Sequence, residues 1–250
     1  MEKVYFKNSR GERLSGLLQG DPEIAPLTVI CCHGMLSSKD SAKLQEFQEH
    51  MVSGNLAVLR FDFSGRGESE GELFDLCYSN QIEDLRAACD WLEEHGAQRF
   101  GFYGSSMGGT VALLTAARQG GIVCAATTAA VAYPARIEER YPDETEKWRE
   151  RGYFEFEEGR IGSQFIDDAS LYSVISSVRT LNIPLLITHG TKDLVVPVAD
   201  ADDIAAAARR VSIELFDGAD HRFSELAHRH ALVRQLVEFF DMHAKMAEEG

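Results

Sequence analysis

The sequence is short of positive charge and lacks any long apolar run. Its 250 residues include 25 lysines and arginines against 40 aspartates and glutamates, which gives a net charge of −15. Such a surface repels phosphate backbones and anionic lipids, so neither nucleic acid nor a membrane is expected as a partner. No stretch approaches the ~20 apolar residues of a bilayer-spanning helix, and the opening residues MEKVYFKNSR lack the apolar core of a signal peptide. A cytoplasmic location is therefore predicted.

Cysteine is also scarce, and its spacing follows no known pattern. The five cysteines, two of them adjacent at Cys31 and Cys32, are not the even set that is typical of a disulfide framework. No C-x-x-C motif or Cys and His cluster suggests zinc. We therefore predict five unpaired thiols, no metal site and no cofactor.

Short apolar runs alternate with helical patterns along most of the chain. Continuous apolar runs are typical of strands buried on both faces of a parallel sheet. The clearest helix, over 79–95, places Ile82, Leu85, Cys89 and Leu92 on one face. This alternation predicts a doubly wound α/β fold with an antiparallel hairpin at one edge. Strands are predicted at 3–7, 14–19, 27–32, 56–61, 99–103, 122–127, 184–188 and 211–216.

One segment between predicted strands is far longer than the connections usual in such folds. We interpret residues 132–180, called the insert below, as an inserted cap with its own helices within a single domain spanning 1–250. Eight of the 23 aromatic residues fall within 133–172, about twice the share that an even distribution gives. These rings either pack the insert against the body or line an apolar substrate pocket, and the sequence leaves both interpretations open. They are Tyr133, Tyr141, Trp148, Tyr153, Phe154, Phe156, Phe165 and Tyr172.

A serine motif follows the predicted strand at 99–103. The residues Gly104-Ser105-Ser106-Met107-Gly108 fit G-x-S-x-G, in which a strand turns sharply into a helix and exposes the central serine. Serine is a weak nucleophile on its own and needs a histidine base that a carboxylate orients. Ser106 is therefore the candidate nucleophile, and the rest of the chain must supply its partners.

Partners are found after two later strands, in the order serine, acid, histidine. Asp193 follows the strand in PLLITHGTKDLVVP, and His221 follows the last strand, in SIELFDGADHRF. Asp217 and Asp220 are alternative acids, but they lie almost beside His221 in the same loop and would reach its ring less readily. We therefore predict Asp193 as the acid and His221 as the base.

Acyl transfer also needs N–H donors for the negative charge that develops on the carbonyl oxygen. The backbone N–H of Met107 comes with the serine turn, and that of Met35 follows the strand at 27–32, in HGMLSSKD. We expect His33 in that loop to form hydrogen bonds rather than to titrate. The glycine-rich residues 61–71, FDFSGRGESEG, lack the ending of a nucleotide-binding motif and are interpreted as a shaped loop beside the site.

These motifs resemble those of serine α/β-hydrolases, and nearly the whole chain is similar to small bacterial carboxylesterases of the cinnamoyl/feruloyl esterase type. The resemblance rests on HGMLSSKD, FDFSGRGESEG, GSSMGG, HGTKDLVVP and DGADHRF. It implies an α/β-hydrolase fold, an eight-stranded mostly parallel sheet flanked by helices, with an inserted cap. It also implies a triad at Ser106, Asp193 and His221, with oxyanion donors at Met35 and Met107.

The function expected from these residues is that of a serine carboxylesterase. It would hydrolyse a small short-chain or aryl ester, hydroxycinnamoyl esters included, through an acyl-enzyme on Ser106. The same residues would also suit a thioesterase, an amidase or peptidase, or an acyltransferase, and a non-catalytic ligand-binding protein can share the fold. A homodimer is one arrangement that the sequence leaves open.

Overall fold

A computed structural model describes residues 1–51 and 56–248, which form a series of strands and helices. The strands are β1 (Glu2–Lys7), β2 (Arg13–Gln19), β3 (Thr28–Cys32), β4 (Ala57–Phe61), β5 (Phe100–Ser105), β6 (Ile122–Thr128), β7 (Tyr153–Phe156), β8 (Gly159–Gly162), β9 (Leu185–Gly190) and β10 (Val211–Phe216). The helices are α1 (Ala42–His50), α2 (Tyr78–Glu94), α3 (Met107–Ala116), α4 (Ile137–Arg140), α5 (Pro142–Arg151), α6 (Gln164–Ala169), α7 (Val174–Thr180), α8 (Ala199–Ala207) and α9 (Leu226–Glu248).

Eight strands form one sheet in the order β1-β2-β4-β3-β5-β6-β9-β10. β2 is antiparallel to both β1 and β4, and each remaining pair is parallel. All residues of β3, β4, β5 and β9 are buried, which explains their continuous apolar runs. One core packs this sheet against α2, α3, α7 and α8, and a second core packs the opposite face against α1 and α9.

The strands and the main helix agree with the sequence predictions. Each of the eight predicted strands is present, with ends that differ by two residues at most. The first two form the predicted antiparallel hairpin at one edge. The four apolar side chains assigned to one face of the helix at 79–95 are all buried in α2. The five cysteines are free and buried, as expected of thiols in the core.

The insert contains more than the helices expected of it. Between α5 and α6 lies a two-stranded antiparallel sheet, β7–β8, in which Phe156 pairs with Gly159. Its sequence, YFEFEEGRIG, alternates apolar and charged residues before a glycine, so a hairpin signal was present within the predicted cap. The last helix of the insert, α7, packs against α3 and α8 and so belongs to the layer that covers the sheet.

No helix within residues 1–51 and 56–248 is both long enough and apolar enough to cross a membrane.

Candidate active site

Ser106 lies at the turn between β5 and α3 in a backbone conformation that side chains rarely adopt. Its φ of 54° and ψ of −125° lie outside the regions favoured by L-residues. The flanking glycines permit this turn because no side chain fits there: a Cβ on Gly104 would lie 2.3 Å from the Gly108 carbonyl oxygen, and one on Gly108 would lie 2.3 Å from the His33 carbonyl oxygen. The turn thus lifts Ser106 to the carboxyl edge of the sheet.

Ser106 is the first member of a chain of hydrogen bonds along this edge. Its Oγ lies 3.1 Å from Nε2 of His221, and Nδ1 of His221 lies 2.7 Å from Oδ2 of Asp193. An ionised carboxylate only accepts hydrogen bonds, so Nδ1 carries the proton and Nε2 is free to accept from the serine hydroxyl. All three residues named from the sequence therefore meet, in the order that serine-based acyl transfer requires.

The loops that carry Asp193 and His221 are held together at the ends of β9 and β10. A Cβ on Gly190 would lie 2.3 Å from the carbonyl oxygen of Ala219, so only glycine allows this approach. The amide of Lys192 donates to that same carbonyl at 3.0 Å. The separation between acid and base is therefore fixed by backbone contacts.

The carboxylate of Asp193 is fully buried and accepts several hydrogen bonds. Oδ1 accepts from the amides of Val195 and Val196 at 2.8 and 2.9 Å. Burial by itself raises the pKa of the Asp193 carboxyl, but hydrogen bonds from His189, His221 and the Val196 amide outweigh it and hold that pKa well below its usual range. Asp193 is therefore ionised wherever the protein is folded at ordinary pH.

The two alternative acids have other partners. Oδ1 of Asp217 accepts from the Thr191 hydroxyl at 3.0 Å, and Oδ1 of Asp220 accepts from the Ser224 amide at 2.8 Å. Neither carboxylate forms a hydrogen bond with the ring of His221, which is bonded to Asp193. Both aspartates therefore stabilise the loop around the histidine.

The loop after β3 brings Met35 close to Ser106. A Cβ on Gly34 would lie 3.4 Å from Cβ of Ser106, so this loop runs directly beside the serine. Met107 is the first residue of α3, and its N–H therefore has no acceptor within the helix. The two residues named as oxyanion donors thus both lie near the serine and line the same cavity.

His33 forms hydrogen bonds within this region, as expected. Its Nδ1 donates to the Gly34 carbonyl at 2.7 Å, and its Nε2 accepts from the Phe63 amide at 3.1 Å. Burial lowers the pKa of His33 to about 4, because the charged ring would lose its hydration. His33 is therefore neutral and ties the loop after β3 to the loop after β4.

The glycine-rich loop at 61–71 is bonded to the loop after β3, which contains Met35. The fully buried carboxylate of Asp62 accepts from the Lys39 amide and ammonium, both at 2.7 Å. Arg66 donates to the carbonyls of Leu36 and Ser37 at 2.9 and 3.1 Å. This loop thus fixes the backbone that carries the Met35 amide.

A cavity of about 420 Å³ opens beside Ser106 and extends beneath the insert. Its wall is mostly apolar. The body contributes Met35, Tyr78, Ser106, Met107, Val131, Val195 and Val196, and the insert contributes Tyr133, Pro134, Ile137, Arg140, Tyr141, Glu144, Thr145, Trp148, Phe154, Phe156 and Phe165.

The aromatic residues of the insert have both of the roles considered from the sequence. Six of the eight line the cavity, and the exceptions are Tyr153 and Tyr172. Phe165 also packs against Tyr78 of the body with ring centroids 5.7 Å apart, and it stacks on Trp148 within the insert with centroids 5.4 Å apart. The insert therefore forms one wall of the cavity with its own core.

The chain is similar to known hydrolases in sequence and in fold. Residues 29–235 match the Alpha/beta hydrolase family. The chain belongs to that family. This hydrolase is 28% identical to the mouse mitochondrial palmitoyl-protein thioesterase ABHD10, over 96% of this chain and 82% of the relative.

Two solved structures share the hydrolase's fold over nearly its whole length. Est1E from Butyrivibrio proteoclasticus, solved with ferulic acid bound, superposes with a TM-score of 0.84 at 21% identity, covering 95% of this chain and 97% of that one. Mouse ABHD10 superposes with a TM-score of 0.80 at 23% identity, covering 97% and 99%. At these identities the likeness concerns the fold.

His189 belongs to the hydrolase's site but was missed from the sequence. His189, in β9, is fully buried, and its Nε2 lies 3.2 Å from Oδ2 of Asp193 and 3.0 Å from the Val196 carbonyl. Its Nδ1 is buried without a hydrogen-bond partner. The only signal was its place four residues before the acid, on the strand that leads to it.

Lys43 was also missed, although it lies beneath the serine turn. Its ammonium donates to the Ser105 hydroxyl at 2.9 Å and to the His221 carbonyl at 3.5 Å. Burial lowers the pKa of Lys43 to about 8, against the opposing attraction of Asp193 and Asp220. Lys43 thus links α1 to both the serine turn and the histidine loop.

No three His, Cys, Asp or Glu side chains within the described ranges are grouped as metal ligands would be.

Proposed function

We propose that this hydrolase is a serine carboxylesterase that acts on small, neutral esters through an acyl-enzyme on Ser106. The observation that carries the proposal is the hydrogen-bond chain Ser106–His221–Asp193 at the wall of an apolar cavity. A base within hydrogen-bond reach of a serine, and itself oriented by a buried carboxylate, is the arrangement that activates the hydroxyl. Membership of the Alpha/beta hydrolase family supports a hydrolytic reaction.

In the proposed reaction, Ser106 Oγ attacks the ester carbonyl carbon while His221 Nε2 accepts the hydroxyl proton. The carbonyl oxygen becomes negatively charged, and the amides of Met35 and Met107 would donate to it. His221 then gives the proton to the departing alcohol oxygen as the carbon–oxygen bond breaks. Water attacks the acyl-enzyme with His221 again accepting a proton, and Ser106 leaves with that proton restored.

The remaining features of the site have supporting roles in this proposal. The ionised Asp193 stabilises the imidazolium that forms on His221, and His189 helps to orient Asp193. The insert acts as a cap whose aromatic side holds the apolar part of the substrate. The cytoplasmic location, the absence of a cofactor and the oligomeric state stay predictions, and the mouse relative is named as mitochondrial.

A thioesterase is the second candidate. The mouse relative at 28% identity is named a palmitoyl-protein thioesterase, and the apolar cavity would also accept a fatty acyl group. Ester and thioester pass through the same acyl-enzyme, so the two candidates differ only in the leaving group.

Matched pairs of oxygen esters and thioesters with identical acyl groups test both candidates. We expect the purified protein to hydrolyse the oxygen esters, with a kcat/KM at least equal to that for the thioesters, and Ser106→Ala to lower this by a factor on the order of 10⁴. Preference for thioesters by tenfold or more would favour the second candidate. Failure of the wild-type protein to hydrolyse either series, together with saturable binding of the substrates, would favour a non-catalytic binding protein.

A further inference from the structure

The polar side chains in the wall of the cavity are nearly all bonded to other parts of the protein. These bonds use the donors of the tyrosine, threonine and tryptophan side chains concerned. Ser106, the exposed Glu144 and Arg140, whose guanidinium keeps donors beyond its bond to Asp200, can still bond to a ligand. The partnered groups are Tyr133 with Asp203, Tyr141 with the Val195 carbonyl, Arg140 with Asp200, Thr145 with the Tyr141 carbonyl, and Trp148 with the Ile161 carbonyl.

Tyr78 differs from Tyr133 and Tyr141, the other two tyrosines in this wall, whose hydroxyls are bonded. It is 4% exposed, yet its hydroxyl forms no hydrogen bond with any residue in the described part of the chain. The hydroxyl oxygen is not fully enclosed by protein atoms, and Tyr78 lines the cavity. A small molecule in the cavity can therefore reach this oxygen. Tyr78 therefore presents a buried, unpartnered hydroxyl to an apolar cavity.

Neighbouring contacts hold Tyr78 in place. It is the first residue of α2, and its ring lies 5.7 Å from that of Phe165. The next residue, Ser79, donates its amide to Asp168 of α6 at 3.1 Å, and its hydroxyl bonds to Asp168 and to the Tyr172 hydroxyl. The start of α2 is thus tied to the insert, which fixes the direction of the Tyr78 ring without using its hydroxyl.

The Tyr78 hydroxyl is available to a molecule in the cavity. A bound molecule without an acceptor at this place would remove the hydroxyl from water and leave it without a hydrogen bond, which is unfavourable. Burial, with the nearby Asp168 carboxylate, also raises the pKa of the Tyr78 hydroxyl, so it stays neutral and can donate a proton. A neutral oxygen acceptor on a bound molecule would satisfy it.

We propose that the Tyr78 hydroxyl is a specificity-determining hydrogen-bond donor to a neutral oxygen within the substrate's apolar group. This inference rests on the proposed function and narrows its substrate class. The preferred substrates are esters whose otherwise apolar group carries one ether, ketone or hydroxyl oxygen at a fixed distance from the ester carbonyl. A site built to bond one substrate oxygen discriminates strongly against the analogue that lacks it.

An oxygen scan tests the proposal. In two series of esters of constant length, one varied in the acyl group and one in the alcohol, each methylene is replaced in turn by an ether oxygen. For the wild-type protein we expect kcat/KM to peak about tenfold above the neighbouring positions at one oxygen position. In Tyr78→Phe this peak should disappear, so that the ratio of kcat/KM between the peak ester and the all-carbon ester falls about tenfold. The matched control is Tyr153→Phe, an insert tyrosine outside the cavity, which should keep the peak.

Two results would overturn the proposal: a flat scan in the wild-type protein, or a peak that survives in Tyr78→Phe. If neither protein hydrolyses any ester or thioester, the proposed function fails, but the donor role remains testable by binding. The esters of the oxygen scan, which then bind without being cleaved, are titrated against the change in tryptophan fluorescence, since Trp148 lines the cavity. A peak in affinity that Tyr78→Phe removes supports the donor, and equal affinities in the two proteins contradict it.

Discussion

The carboxyl edge of the sheet and the insert meet at the same cavity, but they are built differently. At the edge, each proposed catalytic side chain is fixed by close backbone contacts and by hydrogen bonds, as Gly190 and Asp193 illustrate. In the insert, the cavity wall is made of stacked aromatic rings. Residues 133–172, which form most of the insert, include 11 acidic and 6 basic residues. The difference suggests that the edge determines the reaction and the insert determines which substrate fits.

After the loss of Ser106 itself, the largest expected effect is that of changing the acid at the edge. Asp193→Asn should lower kcat by a factor on the order of 10⁴, the size known for this change in serine proteases, because an amide favours the wrong tautomer of the histidine. Asp217→Asn is the matched control, since Asp217 bonds to Thr191. Steady-state kinetics on one simple ester compares them. If Asp217→Asn had the large loss of kcat and Asp193→Asn stayed active, the acid would be in the loop after β10 and not in the loop after β9.

The second prediction is that the buried ammonium of Lys43, next to the serine turn, lowers the free energy of unfolding. The pKa of Lys43 falls from its ordinary 10.5 to about 8 in the folded protein. Between pH 8 and pH 10.5 the unfolded state binds more protons than the folded state, so the free energy of unfolding rises with pH over this range. The cost of burying the charged ammonium is therefore fully present below pH 8. Lys43→Met should therefore stabilise the protein at pH 7 by about 1 to 3 kcal/mol and remove this part of the rise.

Urea unfolding at pH 7 and at pH 10 measures the effect of Lys43→Met. The control is Lys147→Met, because Lys147 is exposed on α5. If the two variants show the same dependence on pH, the buried ammonium does not destabilise the fold.

His189 should have a smaller effect that depends on one hydrogen bond. His189→Met removes the donor to Asp193 and should lower kcat about tenfold with KM unchanged, a loss that corresponds to about 1.4 kcal/mol. His189→Gln places an amide N–H near the position of Nε2 and should restore most of the rate. Equal loss in both variants would mean that His189 matters only for packing.

The smallest effect is expected in the insert, and on selectivity rather than rate. Phe154→Ala enlarges the cavity and should move the preferred acyl chain to a greater length, with about a fourfold gain in kcat/KM for each methylene that newly fits. Tyr153→Ala, on the same strand but outside the cavity, should leave the profile unchanged. Identical profiles for the two variants would mean that the insert does not select the substrate.

The edge of the sheet was largely predictable from the sequence because its geometry leaves local signals. Ser106 needs glycines where a Cβ would collide with backbone, and those glycines form a readable motif. Asp193 and His221 follow buried strands whose apolar runs are continuous, so their shared edge could be inferred. Their meeting is a structural finding, and their catalytic roles stay predictions.

The parts that were not predicted depend on contacts distant in sequence. Tyr78 reaches the cavity from α2, and nothing in its neighbourhood distinguishes it from other tyrosines at a helix start. His189 reads as one more residue of a buried strand, and only the fold of the following loop brings Asp193 back to its ring. The sequence indicated that the insert's aromatics had a common purpose, but only the packing of the hairpin separates Phe154 from Tyr153.

Covalent labelling with a fluorophosphonate tests the central claim most directly. An activated serine reacts at phosphorus, so intact-mass and peptide analysis should show one adduct per chain, on Ser106, in the wild-type protein. The rate should fall at least 100-fold in His221→Ala, because the serine then lacks its base. An adduct on another residue, or labelling of Ser106 at the wild-type rate without His221, would contradict the account.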